Sequence, residues 1–326
     1  MAKEQFKTMI GGQALIEGIM MRGPEKDCVV VRTKDGLKVD VKPRKVHKKG
    51  TVYTWPLIRG VVNFFDSQVT GVKALMQSAD LSPEEEQEQP SKLDLWLEKK
   101  LGDKGFQNFV IGFAVFLGLA MSIGLFFLLP MLISSLLSGV VSNTLLLNLI
   151  EGVVRICIFT AYIVLVSQMK DMKRVFSYHG AEHKTIRCYE AALPLTVENI
   201  RQQTRLHPRC GTSFLLVVMI ISILVFSVAS SVLLSLIPGL AAMRGQVLYS
   251  LIMIVFKLLL LPLVVAFSYE INRFVGRHDN AFTRFMTAPG LWFQKFTTRE
   301  PDDSMIEVAI AAVEAVLPEE AGADRW

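Results

Sequence analysis

Two stretches of the chain carry no charged residue: 105–150, a run of 46, and 210–243, a run of 34. About 20 apolar residues wound into a helix already cross the hydrocarbon core of a bilayer. The pattern therefore predicts membrane-spanning helices and excludes a soluble globular enzyme, a disordered chain and an all-β barrel. Four spans are expected, one within 109–137 and the others over 145–168, 214–237 and 247–267. Pro130 is expected to kink or end the first, and Pro262 to bend the fourth.

The polar remainder has its own periodicities. Residues 28–33 (CVVVRT) and 37–42 (LKVDVK) flank Lys34-Asp35-Gly36, which predicts a β-hairpin. The glycines of GGQALIEG before it fit no phosphate-loop spacing, so no nucleotide site is expected. Over 56–78, Leu57, Val61, Phe64, Phe65, Val69, Val72, Leu75 and Met76 recur at helical spacing. That predicts an amphipathic helix lying on the membrane or on the domain core. SPEEEQEQP at 82–90 reads as an acidic linker, with a short helix opening at Ser91. Ser304 and Glu307 suggest a capping box for a final helix ending near Val316.

Charge orients this layout. The segment 1–105 holds 18 Lys and Arg, the loop 169–212 holds 8 and the tail 269–326 holds 6. The two connections near 138–144 and 238–246 hold only Arg244. The positive-inside rule then puts both termini and the long loop in the cytoplasm of a multi-pass inner-membrane protein. The net charge of +5 is mild and calls for no nucleic-acid partner. Four Cys with no CxxC argue against a disulfide scaffold, and the opening residues show no secretory signal. The fold class expected is an α-helical integral membrane protein with four transmembrane helices and a small mixed α/β cytoplasmic portion. Its parts are a cytoplasmic α+β segment (1–80), a linker and short helix (81–105), spans one and two (106–168), the loop (169–212), spans three and four (213–268) and a tail with a terminal helix (269–326).

Candidate chemistry concentrates in that loop. It holds three of the five His and two of the four Cys in 44 residues, far above an even spread. His179-Gly180-Ala181-Glu182-His183 reads H-x-x-E-H, the order found in inverted zinc peptidases. On a helix, His179 and His183 lie one turn apart on one face, able to grip one divalent ion, most naturally zinc. Glu182 beside them is the candidate catalytic base. His207 and Cys210, in HPRCGT, are the natural third and fourth ligands. If all four bind, the site is closed and structural; catalysis needs one position left open. A metal-free polar network is the equally available reading. Cys188 and Glu190 read as ordinary helix residues, His47 as part of a basic loop and His278 as a turn residue. Glu17 and Glu270 are carboxylates that nothing in the sequence selects.

A second feature lies inside the expected spans. Glu151 and Arg155 are four apart on span two, and Lys257 is central in span four. Arg155 and Lys257 both fall about 15 Å from the outer helix ends. Charges at that depth usually face the protein interior. A helix–helix ion cluster is the expected reading, with a transport gate as the alternative. Ala114 and Gly118 form a small-xxx-small pair that permits helix packing or a homo-oligomer.

The segments GGQALIEGIMMRGP, YHGAEHKTIRCYE, HPRCGTSF and APGLWFQKFTTREPDD resemble the YqhQ-like family of uncharacterised bacterial membrane proteins. The resemblance runs from about Gly11 to Val316. It implies a predicted metal-dependent enzyme without a substrate, with His179, Glu182, His183, His207 and Cys210 at the matching positions. Three functions are therefore expected in order: a membrane-embedded metal-dependent hydrolase with its site on the cytoplasmic face, a non-catalytic scaffold or assembly factor, and a small transporter. The lipid bilayer is the one partner these readings share.

Overall fold

A computed structural model describes residues 6–44, 50–82, 102–137, 139–141, 143–243, 246–320 and 322–325. His47, most of the acidic linker and the helix expected at Ser91 lie outside the described residues.

Four antiparallel strands run in sequence order: β1 (Gly11–Leu15), β2 (Gly18–Arg22), β3 (Lys26–Thr33) and β4 (Gly36–Pro43). The expected hairpin is present. Thr33 pairs with Gly36 across Lys34-Asp35, and Gly36 takes φ +122°, a conformation that glycine alone adopts freely. The GGQALIEG glycines belong to β1 and to the start of β2. A side chain on Gly18 would lie 2.4 Å from the Val30 carbonyl oxygen, so glycine is required for the strands to meet there.

The helices follow: α1 (Ile58–Leu81), α2 (Asp103–Ile123), α3 (Leu129–Leu136), α4 (Thr144–Val166), α5 (Lys170–Glu190), α6 (Val197–Arg201), α7 (Gly211–Leu236), α8 (Pro238–Ala242), α9 (Val247–Arg277), α10 (Ala281–Thr297) and α11 (Asp303–Glu314). A π turn over Gly124–Leu128 joins α2 to α3. Four helical stretches are long and apolar enough to cross a membrane: Gly112–Leu136, Leu145–Val166, Gly211–Leu236 and Val247–Arg277. The first continues through Pro130, and the fourth through Pro262, to Arg277, ten residues past the expected end. Contacts from α1 hold that extension. Arg59 pairs with Glu270, and Asn63 donates to the Tyr269 hydroxyl at 2.8 Å. The final helix is capped two residues earlier than expected, because Asp302 rather than Ser304 accepts the Met305 N–H at 3.0 Å.

The chain divides into two compact units, one of residues 1–83, 161–222 and 260–326, the other of 84–160 and 223–259. In the first, β2 and the middle of β3 are buried on both faces, while β4 is exposed along nearly all its length. Ile19, Met21, Cys28 and Val30 pack against Tyr178 and Ala181 of α5 and Val308, Ala309, Ala312 and Val313 of α11. Leu15, Met20, Val29 and Val31 pack against Ala74 of α1. Each such fully buried aliphatic side chain stabilises the fold by about 1.5–3 kcal/mol. Helix α1 turns its small residues Gly60, Gly71, Ala74 and Ser78 inward, while Phe65, Val69, Val72 and Met76 are exposed.

In the second unit, one Glu151 oxygen accepts from Arg155 at 2.7 Å and also from Lys257. All three side chains are buried. Arg155 lies over the rings of Phe127 and Phe226, and its Nε donates to the Phe126 carbonyl at 2.7 Å. The ion cluster is therefore closed on itself.

Candidate metal centre

Helix α5 carries the H-x-x-E-H segment through the middle of the first unit. Gly180 permits it to sit there. A β-carbon at that position would fall 1.9 Å from the Arg299 carbonyl oxygen. The segment that follows α5 is laced back onto it. Lys184 donates to the Arg201 carbonyl at 3.1 Å and Arg187 to that of Leu206 at 2.7 Å. From α10, Gln294 grips the His207 backbone on both sides, accepting from its N–H at 2.8 Å and donating to its carbonyl at 2.7 Å.

This folding brings His179, His183 and Cys210 together, with one donor atom of each within 4.8 Å of the others. His179 Nε2 lies 3.1 Å from Cys210 Sγ. The opposite ring nitrogens are occupied. His179 Nδ1 is 2.7 Å from the Thr297 carbonyl oxygen, and His183 Nδ1 is 2.6 Å from that of Arg205. A carbonyl can only accept, so each Nδ1 carries the proton and donates it. A ring that carries only that proton has its Nε2 lone pair available to a metal ion. A backbone acceptor on the far nitrogen is how metal-ligating imidazoles are typically oriented. His183 Nε2 is buried with no hydrogen-bond partner, and so is Glu182 Oε2. Glu182 Oε1 accepts the Gly12 N–H at 2.9 Å, which ties the N-terminal glycine pair to the site.

His207 is turned elsewhere. Its ring centre is 5.6 Å from that of His183, but its Nε2 faces Glu190 at 3.2 Å. Glu190 also pairs with Arg209 and accepts the Thr8 N–H at 2.9 Å. The sequence reading set Glu190 aside as an ordinary helix residue. The signal was available, since Glu190 lies seven residues after His183 and therefore on the same face of α5. Cys188 is buried, with Sγ 3.5 Å from the Pro194 carbonyl oxygen. Glu17 pairs with Arg174 and Glu270 with Arg59, so neither joins the cluster. His278 is exposed, with Nδ1 2.8 Å from the Phe274 carbonyl oxygen.

The electrostatics follow from this packing. Burial alone would push the Cys210 thiol up, but the charges of His183 and His179 outweigh it and hold the thiol well below its ordinary range. Burial likewise opposes charging of His179, yet the Cys210 thiolate and Glu182 push it up to about 9. The pair favours a thiolate beside an imidazolium. Burial pushes the Glu182 carboxyl up, against the pull of His179, His183 and the Gly12 N–H. Burial and then the Arg209 charge hold His207 well below its usual range, so it stays neutral.

Four helices long and apolar enough to cross a membrane, and a buried cluster that joins His179 and His183 of α5 to Cys210 just before α7, define a class of multi-helix proteins with a polar centre. The particular family is that described as "Protein of unknown function (DUF1385)", whose model matches residues 55–319, and the chain belongs to it. It is 32% identical over 331 residues to "Uncharacterized protein YqhQ" of Bacillus subtilis (strain 168), covering 98% of this chain and 96% of the relative. No solved structure matches. Neither description assigns an activity or a metal.

Proposed function

We propose that this protein is a multi-pass protein of the cell's inner membrane, with both termini on the cytoplasmic side, that works as a metal-dependent hydrolase. The loading of basic residues and the outward apolar face of α1 support the placement. The observation that carries the chemistry is the pair of orphaned buried atoms, His183 Nε2 and Glu182 Oε2, beside the 3.1 Å His179–Cys210 contact. A buried polar atom without a partner costs roughly 1–3 kcal/mol. An ion would relieve it. Bonds of about 2.0–2.3 Å at tetrahedral angles place zinc ligands roughly 3.5 Å apart. Donors 3.1 Å apart in one pair, and all within 4.8 Å, fit that size.

His179, His183 and Cys210 would hold the metal, probed first as zinc, and His207 would support the site through Glu190 without ligating. Three protein donors leave a fourth position, the arrangement of catalytic rather than structural zinc. When bound, the metal supplies Lewis acidity. Glu182 Oε2 accepts the proton from an attacking water, and the upward push of burial on its carboxyl favours its returning that proton to the leaving group. Gly12 holds the other carboxylate oxygen and so aims Oε2.

The burial of Glu182 and His183 favours one second reading, a non-catalytic scaffold whose cluster is structural. Metal analysis of protein purified without chelators, paired with Glu182→Gln, separates the two. As a base, Glu182→Gln abolishes hydrolysis of a general ester or phosphoester panel while metal stays bound. As a structural residue, it changes only stability. No stoichiometric metal in the wild type would overturn the hydrolase and leave the scaffold.

A further inference from the structure

The first unit has an open pocket of about 540 Å³ lined by Lys184, Arg201, Arg205 and Lys295, with Glu300 the acidic residue among its lining. Glu300 pairs with Lys184 at 2.5 Å and lies 3.8 Å from Arg205, and Arg201 pairs with Asp303. Four cations against those two carboxylates leave a surplus of two positive charges. Arg205 also donates to the Thr298 carbonyl, which fixes the guanidinium in place. Lys295 is exposed, and no ion-pair partner for it is seen among the described residues.

The helix that supplies Lys295 bears a second feature. Along α10, Phe282, Phe285 and Trp292 are 60%, 76% and 50% exposed, and they share one face with Pro289 and Phe296 at steps of three or four residues. Lys295 sits at the edge of that stripe, about 60° around the helix from Trp292. A helix with an aromatic face bordered by cations lies at the headgroup level of a bilayer. It follows the fourth apolar helix after only three residues.

From these two observations together we infer that the pocket is a binding site for a phosphate group presented at the membrane surface. Arg201 and Lys295 flank an anion at its mouth, and Arg205 and Lys184 supply fixed donors within. Guanidinium and ammonium groups so arranged match phosphate oxygens better than a single carboxylate. The α10 stripe makes a lipid headgroup the natural source, and that part rests on the membrane placement proposed above. The phosphate site itself does not depend on the metal.

The test uses the full chain in nanodiscs of phosphatidylcholine with and without phosphatidylglycerol, with retained lipid read by native mass spectrometry. Inorganic phosphate is titrated separately into the phosphatidylcholine discs. Three proteins are compared: wild type, Lys295→Glu and Arg284→Gln. Arg284 is an exposed cation on the same helix but outside the pocket. Retention of phosphatidylglycerol is expected to fall at least about fivefold in Lys295→Glu, since losing one cation near an anionic surface already has that effect and the added carboxylate increases it. Arg284→Gln should match wild type. Lys295-dependent binding of inorganic phosphate in place of the lipid would keep the site and assign it a soluble phosphate ligand. Equal losses in both variants, no loss in either, or no binding of either probe would overturn the inference. Metal content is not read in these arms, so their failure leaves the metal proposal to its own test.

Discussion

Arg155 donates its Nε proton to the carbonyl oxygen of Phe126 at 2.7 Å. That carbonyl lies four residues before Pro130, so its α-helical donor would be the one N–H that proline lacks. A side chain from another helix thus supplies the bond the proline removes, which is how proline is tolerated among apolar helices. The same guanidinium is charge-balanced by Glu151, which also takes Lys257. Glu151→Gln leaves two buried cations without an anion and should cost about 3–5 kcal/mol. Lys257→Met leaves Glu151 and Arg155 matched and should cost clearly less. Folded yield and melting in detergent would show the order, and the reverse order would remove Glu151 from the centre of the cluster.

Gly180→Ala should be among the most damaging single-methyl changes in the chain. Its β-carbon would meet a backbone carbonyl 1.9 Å away, and backbone cannot step aside as a flexible side chain can. The expected cost is about 3 kcal/mol or more, the upper end for overpacking. Gly112→Ala is the control, since nothing lies within 4 Å of its added carbon. Equal melting temperatures for the two variants would mean that α5 does not press on the Arg299 segment.

The neutral, buried His207 should make the folded state sensitive to acid. It faces Glu190, Arg209, Arg187, His183 and Cys210, and its folded pKa lies well below the ordinary 6.5. Below about pH 6.5 the unfolded chain takes up a proton that the folded chain refuses. Stability from this residue therefore rises with pH through that window and levels off above it. Glu190, pushed up by burial, works in the opposite direction. The readout is accordingly the difference between wild type and His207→Gln. Wild type should lose stability faster between about pH 6.5 and pH 5, and parallel melting curves would contradict a neutral His207.

Metal retention distinguishes three donors from four. His179→Ala and Cys210→Ser should each lower bound zinc severalfold, because each removes one direct ligand. His207→Gln should leave zinc at wild-type stoichiometry, since its Nε2 faces Glu190. Elemental analysis of the folded fraction checks this, and loss of zinc in His207→Gln would restore a closed four-ligand site.

Reporter fusions after Ser82, Glu198 and Asp302 should all report the cytoplasm, given 18, 8 and 6 basic residues in the three regions. An external signal at Glu198 would move the His/Cys cluster to the other side and undo the proposed orientation.

The apolar helices and the Lys34-Asp35 hairpin were legible because each rests on a local pattern: charge-free length, or two strand-like runs flanking a turn with glycine. The pairing of His179 with Cys210 was also legible in part, since both stand in short motifs of metal-ligand type. The removal of His207 from that group was not. It depends on Gln294, 87 residues away, gripping the His207 backbone, and on Glu190 offering a buried carboxylate. Helix α10 was missed because Pro289 and Gly290 interrupt it, although its aromatic spacing is helical. Gly12 was read only for what it was not, since a backbone N–H aimed at Glu182 leaves no trace in residue type.

The sheet packs against α11, which begins 260 residues after β4 ends. During synthesis, the strands therefore leave the ribosome with half of their apolar surface uncovered. They must wait while all four long apolar helices are made before Val308, Ala309, Ala312 and Val313 arrive to close them over. At elongation rates of roughly 5–20 residues per second, that interval is on the order of 13–50 seconds. The nascent sheet is thus a long-lived exposed hydrophobic surface. A chaperone has time to hold it, and a ribosome stalled before α11 would leave behind a chain whose sheet is never closed over.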